Sequence, residues 1–185
     1  IVIEEAKLKQ YVADWIAANP DNLRDAAQYT IPLVFHIIHD YGTENITDAQ
    51  VRDAVSILNE DYQKMNADTS AVALSFKNLI GNVKVQFRLA NKDNSGNCTT
   101  GIEHIHSLST YQGGDNAKLN DWPRNKYLNV WTVKEFGADL LGVAGYAYLP
   151  PDVAAASQAP YDGVIILSNY VGSIGTGSGT TSRSL

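Results

Sequence analysis

Apolar positions in the first part of the chain recur at the spacing of a helix. Within residues 4–18, one face collects five apolar side chains: Leu8, Tyr11, Val12, Trp15 and Ile16. This spacing predicts a short amphipathic helix, and Asn19-Pro20 ends it because proline cannot continue a helix. The apolar face is narrow, so we expect the helix to pack on a larger body.

Residues 31–39, with the sequence IPLVFHIIH, form an almost continuous run of apolar and branched side chains. Such a run is typical of a strand that is buried on both faces of a sheet. Because proline has no N–H group to donate to the ladder, Pro32 is expected at the start of this strand. Tyr41-Gly42 ends it.

A long helix is predicted after this strand. Thr47 followed by Gln50 matches a capping box, and Ile46 and Val51 can form the hydrophobic staple around it. An apolar stripe then runs through Val51, Ala54, Val55, Leu58, Tyr62 and Met65. A helix with this stripe, following a buried strand, packs back across a sheet.

Four further strands are predicted downstream. Residues 83–90 alternate strictly between apolar and polar positions, and residues 127–133 and 162–167 are short apolar runs. Residues 142–150 contain two glycines and are stopped by Pro150-Pro151, which is typical of an edge strand. This order of elements predicts an α/β arrangement with one mixed sheet.

Composition excludes several classes of protein. The 185 residues are 44% hydrophobic, which suits the core of one domain or a large subdomain, and the net charge is −6. No run of five basic residues occurs, which argues against nucleic-acid binding. No apolar stretch reaches the ~18 residues of a membrane span. The first ten residues lack the features of a signal peptide, so we expect a trimmed chain.

No catalytic constellation is recognisable from spacing alone. Cys98 lies in a turn without a partner base, and no Gly-x-Ser-x-Gly elbow occurs. The Gly-rich stretch 172–181 follows a strand but lacks the lysine of a phosphate-binding loop. Glu60-Asp61 lies on the polar side of the long helix, where a solvated face is the ordinary explanation.

The four histidines fall into two pairs. His36 and His39, at i and i+3 on a strand, point to opposite faces, so we expect both to be hydrogen-bonded within or beside the core. His104 and His106, at i and i+2, share a face if their segment is extended. They can bind zinc only with a third or fourth ligand, which the sequence does not single out. A metal site at this second pair stays an alternative.

Four segments taken together resemble one protein family. They are residues 31–39, ENITDAQVRDAVSILNEDYQKMN (44–66), DWPRNKYLNVWTV (121–133) with GYAYLP (145–150), and the tail from DGVIILSNYVGSIGTG to SRSL (162–185). In this order they resemble the start of the catalytic domain of pappalysin-type zinc metallopeptidases, in the metzincin clan, and most of all its secreted bacterial branch. The most specific pieces are LNEDYQKMN and WPRNKYLNVW.

The resemblance implies a metzincin-like upper subdomain, with a twisted mixed sheet of about five strands, one antiparallel edge strand and a long backing helix. In the family, the Gly-rich loop leads into a helix with the motif His-Glu-x-x-His-x-x-Gly-x-x-His, which supplies three zinc ligands and a general base. This motif is absent here. The resemblance therefore implies no catalytic residue and no metal ligand within 1–185. Zinc would be bound by the missing C-terminal half, and calcium is a second candidate metal of the intact enzyme.

One functional element is transferred by the resemblance. In metzincins, the edge strand above the cleft binds an extended peptide substrate through its backbone. The matching residues here are Val143, Ala144, Gly145, Tyr146, Ala147 and Tyr148. Their unpaired N–H and C=O groups would accept a peptide as an added strand, and Gly145 would let the two backbones approach closely. The alternative is an ordinary edge strand, protected by its short length and its glycines.

The resemblance divides the chain in two. Residues 1–28 form an N-terminal helical segment, either a pro-segment remnant or a brace, and residues 29–185 form the N-terminal subdomain of a truncated catalytic domain. We expect part of a secreted, bacterial zinc metalloendopeptidase that is active when intact and inactive as 1–185. The alternative function is a non-catalytic module that binds peptides at residues 143–148.

Overall fold

The structure, a computed structural model, describes residues 2–18 and 28–179. Helix α1 spans Val2–Ala18. The remaining helix and the strands are, in chain order, β1 (Tyr29–His39), α2 (Asp48–Tyr62), β2 (Val85–Leu89), β3 (Ile102–His106), β4 (Leu128–Val133), β5 (Gly145–Ala147) and β6 (Val164–Leu167). Short turns of 3₁₀ helix fill the connections. Within the described ranges, neither α-helix is long and apolar enough to cross a bilayer.

Strand β1 is the hub of a six-stranded sheet. Its first half pairs with β2 and its second half with β3 along the same edge, while β4 pairs on the opposite edge. Strand β6 follows β4, and β5 completes the sheet as an antiparallel partner of β6. The predicted mixed sheet with one antiparallel edge strand is confirmed. Strand β3 is additional, because its segment was predicted to be irregular.

Pro32 is the fourth residue of β1 and not its first, contrary to the prediction. The N–H of Tyr29 donates to the carbonyl of Lys84 next to β2, and the direction of these groups alternates along a strand. The nitrogen of Pro32 therefore faces the side of β4, where the ladder begins only at Leu33. An N–H group at position 32 would therefore have no ladder partner on this side, so proline is tolerated there.

The two faces of the sheet bury different clusters. One face packs against α2 and contains Leu33, Phe35, Ile37, Val51, Ala54, Val55, Val130 and Ile166. The other face is covered by connecting segments and contains Ile38, Ala117, Trp131, Val133, Phe136 and Ile165. This double coverage explains the continuous apolar run of β1, which is buried from residue 33 to residue 39. The stripe of α2 is shorter than predicted, since the helix ends at Tyr62 and Met65 lies beyond it.

The start of α2 contains half of the predicted capping box. The Thr47 side chain accepts a hydrogen bond from the Gln50 N–H at 3.2 Å. The Gln50 side chain does not return to the cap. It is buried and donates from Nε2 to the Val171 carbonyl and the Thr176 hydroxyl, both at 2.9 Å. Helix α2 therefore holds the Gly-rich loop that follows β6.

Candidate peptide-binding edge

Strand β5 lies at one end of the sheet and, among residues 2–18 and 28–179, pairs on one side only. The Leu167 N–H donates to the Ala144 carbonyl at 2.9 Å, which fixes the direction of the ladder. Because backbone groups alternate in direction along an antiparallel strand, those of Tyr146 also face β6 and those of Gly145 and Ala147 face away from the sheet. The groups that face away are the ones an added strand can bind.

The structure brings residues 143–148 together at this edge, although only three of them form the strand. Gly145, the first residue of β5, also lies close to the neighbouring strand β6. A Cβ atom at Gly145 would lie 2.8 Å from the Ile165 carbonyl oxygen and 3.2 Å from the Ile166 Cα atom. Glycine is therefore required here for the approach of β6, and the approach of a peptide need not explain it.

Two tyrosine side chains anchor β5 to a loop residue that sequence reasoning missed. The Tyr146 hydroxyl donates to Asp115 Oδ1 at 2.8 Å, and the Tyr148 hydroxyl donates to Oδ2 at 2.7 Å. Burial by itself raises the pKa of Asp115, but these hydrogen bonds and the one from Lys118 outweigh it and hold the pKa below its usual range. The carboxylate therefore stays ionised and accepts from both tyrosines.

The pKa values of the two tyrosines shift upwards, opposite to that of Asp115. The hydrogen bond to Asp115, together with burial, raises the pKa of Tyr148 to about 12. The pKa of Tyr146 is also raised, mainly by burial and in addition by the hydrogen bond to Asp115. Both hydroxyl groups therefore remain protonated donors at neutral pH.

A buried ammonium group lies beneath the two tyrosines. Lys118 Nζ donates to the Tyr161 carbonyl at 2.8 Å and lies 3.1 Å from Asp115 Oδ1. Its distances to the ring centroids are 4.6 Å for Tyr148, 4.7 Å for Tyr146 and 5.8 Å for Trp131. Burial lowers the pKa of Lys118, and the neighbouring carboxylate opposes this effect. The ammonium thus has one ion-pair partner, one carbonyl and a set of aromatic faces.

A cavity of about 1050 Å³ opens next to these residues. Its walls are segments 111–116 and 135–141, closed on one side by Tyr146 and Tyr148. Besides Asp115 it exposes the carboxylates of Glu135 and Asp139, and its apolar wall includes Phe136, Leu140 and Leu141. The edge strand therefore borders a groove with acidic and apolar parts.

The histidines His39, His104 and His106 lie near one another but do not form a metal centre. The His39 ring centroid is 6.2 Å from that of His104 and 6.1 Å from that of His106. The two exposed imidazoles are already paired, His104 with Asn45 and Asp48 and His106 with Asp40. Within residues 2–18 and 28–179, no group of three or more His, Cys, Asp or Glu side chains could hold a metal ion.

The remaining histidine, His36, is fully buried and touches two acceptors. Its Nδ1 atom lies 2.8 Å from Glu103 Oε2, and its Nε2 atom lies 3.0 Å from Asn129 Oδ1. The amide of Asn129 is oriented by Trp122, whose N–H donates to Oδ1 and whose carbonyl accepts from Nδ2. Both ring nitrogens therefore face oxygen atoms, and His36 forms a buried pair with Glu103.

This sheet, with its antiparallel edge strand and its backing helix, has the α/β fold of metzincin-type catalytic domains. Solved structures that it resembles include two of mirolysin. One is a complex with compound 9 (31% identical, TM-score 0.75, 86% of this chain and 59% of that chain), and the other is Tannerella forsythia mature mirolysin with a cleaved peptide (30% identical, TM-score 0.72, 87% of this chain and 58% of that chain). A Tannerella forsythia promirolysin mutant also matches (28%, 0.73, 95% and 56%). The chain thus spans 56–59% of the length of these proteins. No family model and no curated protein matches it.

Proposed function

We propose that this chain is the N-terminal part of the catalytic domain of a pappalysin-type zinc metalloendopeptidase that is secreted by a bacterium. The proposal is supported by the similarity to mirolysin, one of whose structures contains a cleaved peptide. The observation that carries it is the open side of β5, where the backbone groups of Gly145 and Ala147 face away from the sheet. An extended peptide binds such an edge as an additional strand.

Zinc in the intact enzyme would activate the water that hydrolyses the peptide bond. The described residues of this chain do not fit a zinc site, since none of their groups of side chains could hold a metal ion. In line with the family resemblance, we propose that the zinc ligands and the general base follow Leu185. We assign no catalytic step to a residue of 1–185, and calcium stays a second candidate metal of the intact protein.

The test is to express the complete reading frame and to measure cleavage of an unstructured peptide. We expect turnover that a zinc chelator abolishes and added zinc restores, and no turnover by residues 1–185 alone. The alternative is a non-catalytic module that binds peptides at residues 143–148. Peptide binding without turnover, by a native protein with a mass near 20.1 kDa, would favour that module and contradict the peptidase.

We also propose that residues 1–28 are the end of a pro-segment and not a brace. The promirolysin match covers 95% of this chain, whereas the mature mirolysin match covers 87%. The difference of 8% corresponds to about 15 of the 185 residues, which is close to the 17 residues of α1. Helix α1 reaches the segment after the edge strand, where Lys7 Nζ lies 3.9 Å from Asp152 Oδ1. Its apolar face, predicted to pack on the body, stays 39–47% exposed at Tyr11, Val12, Trp15 and Ile16.

A pro-segment is removed when the enzyme matures. We therefore expect N-terminal sequencing of the active, native protein to begin near residue 29. Deletion of residues 1–28 should leave the midpoint of thermal unfolding almost unchanged, because α1 buries little apolar surface. An active protein that retains α1, or a large loss of stability on its deletion, would support the brace.

A further inference from the structure

We propose that Asp115, supported by the buried Lys118, is a positioning residue that holds edge strand β5 in the orientation needed to bind a peptide. This inference rests on the proposed function and deepens it. Neither residue is expected to touch the peptide bond that is cleaved. Their role is to fix the backbone groups of Gly145 and Ala147 against which the peptide aligns.

Strand β5 has few other restraints. It is three residues long, and within the part of the chain that the structure describes it pairs with β6 alone. It follows Gly142, which has a left-handed conformation with φ +82°, and leads into the turn at Pro150-Pro151. A pairing this short is weak without packing on a face. The orientation of the strand therefore depends on its side chains.

Asp115 adds a polar restraint to the packing of Val143 and Tyr146 against the buried cluster around Trp131. Tyr146 and Tyr148 are two residues apart, so their side chains leave the same face of the strand. Each hydroxyl group binds a different oxygen of the one carboxylate, at 2.8 and 2.7 Å. Two charge-assisted hydrogen bonds to a planar acceptor fix both the position of the strand and its rotation about its own axis.

Lys118 connects this anchor to the centre of the sheet. Its ammonium group neutralises the partly buried carboxylate at 3.1 Å and fills the space under the two tyrosine rings. The next residue, Leu119, accepts a hydrogen bond from Trp131 Nε1 of strand β4 at 2.8 Å. The position of the edge strand is thereby set relative to β4, which lies two strands further in.

The experiment uses the intact protein and compares Tyr146→Phe/Tyr148→Phe, Asp115→Ala and the control Asp139→Asn. The double tyrosine variant keeps both rings over Lys118 and removes only the two hydroxyl groups. The control changes a carboxylate of the same cavity that makes no hydrogen bond or ion pair with any side chain in the described ranges. We expect the KM for an unstructured peptide to rise about tenfold in the first two variants. The kcat should stay within about twofold, because the reacting groups are elsewhere.

A second measurement separates the inference from the proposed function. Hydrogen exchange should become faster at the amides of Tyr146 and Leu167, which bridge β5 and β6, and stay unchanged in β1. Wild-type protein that neither binds nor cleaves the peptide would contradict the proposed function. An unchanged KM and unchanged exchange in the double tyrosine variant, or an equal fall of kcat and kcat/KM, would overturn the positioning role.

Discussion

Replacement of Glu103 by alanine is expected to lower the free energy of unfolding by about 3 kcal/mol. The substitution leaves Nδ1 of His36, whose side chain has no exposed surface, without the carboxylate oxygen that lies 2.8 Å away. It also removes the acceptor of Asn120 Nδ2 at 2.7 Å and of Trp122 Nε1 at 3.2 Å. Removing one partner of a buried polar pair is costly because the groups left behind stay buried without a hydrogen bond.

Urea unfolding at pH 7 checks this expectation. Glu135→Ala is the matched control, since Glu135 is exposed and its carboxylate binds no other side chain in the part of the chain that the structure describes. Glu103→Gln should fall between the two, because the amide oxygen can still accept one hydrogen bond. Equal unfolding midpoints for Glu103→Ala and the control would show that the contacts of Glu103 with His36, Asn120 and Trp122 do not stabilise the fold.

The same pair predicts a pH dependence. Burial by itself raises the pKa of Glu103, but the hydrogen bond and the positive charge of His36 outweigh it and lower the pKa below the ordinary value of 4.5. A carboxyl group with a lowered pKa stabilises the fold above its unfolded pKa and loses this contribution as the pH falls through its folded pKa. The difference in unfolding free energy between wild type and Glu103→Ala should therefore be full at pH 7 and shrink below pH 4.5.

Gln50→Leu is expected to cost about 2 kcal/mol of stability and to release the Gly-rich loop. The amide of Gln50 is 2% exposed and uses both of its ends: Nε2 donates to Val171 and Thr176, and Oε1 accepts from the Thr176 N–H at 3.2 Å. Leucine has a similar volume, so the loss reflects unsatisfied hydrogen bonds and not a cavity. The Ser173 N–H would still be held by Asp53.

Limited proteolysis together with urea unfolding tests this second expectation. We expect a new cleavage site within residues 172–179 of Gln50→Leu and a lower unfolding midpoint. Arg52→Leu, an exposed substitution on the same helix whose ion pair with Asp48 at 3.4 Å contributes little, serves as control. Protection of the loop in Gln50→Leu equal to that in the control would mean that Asp53 alone determines its path.

The local elements could be predicted because their signals lie within a few residues. The run of β1, the alternation of β2 and the cap of α2 each follow from neighbouring side chains, and the antiparallel edge followed from the family resemblance. Strand β3 was missed because its sequence, IEHIH, places polar side chains at three of five positions. Its pairing with β1, and not its own composition, makes it a strand.

Only part of the candidate site could be predicted, because local sequence signals do not reveal contacts between distant segments. The residues of the edge strand came from a family pattern. Their partner Asp115 lies 31 residues before Tyr146 in the sequence and has no motif around it. The hydrogen-bond partners of His36 are Glu103 and Asn129, which are 67 and 93 residues away. Such constellations form only when separate strands are brought together, so no local pattern reveals them.

The hub position of β1 also determines the order in which this protein can fold. Its partner strands are synthesised much later, because Leu89 follows Leu33 by 56 residues and Leu128 follows it by 95 residues. Parallel pairs cannot form as hairpins, and contacts between distant residues form slowly. During synthesis, β1 therefore precedes all of its partners, and the edge that pairs with β4 stays open until residues 128–133 have been translated, even after β2 and β3 can pair on the other edge.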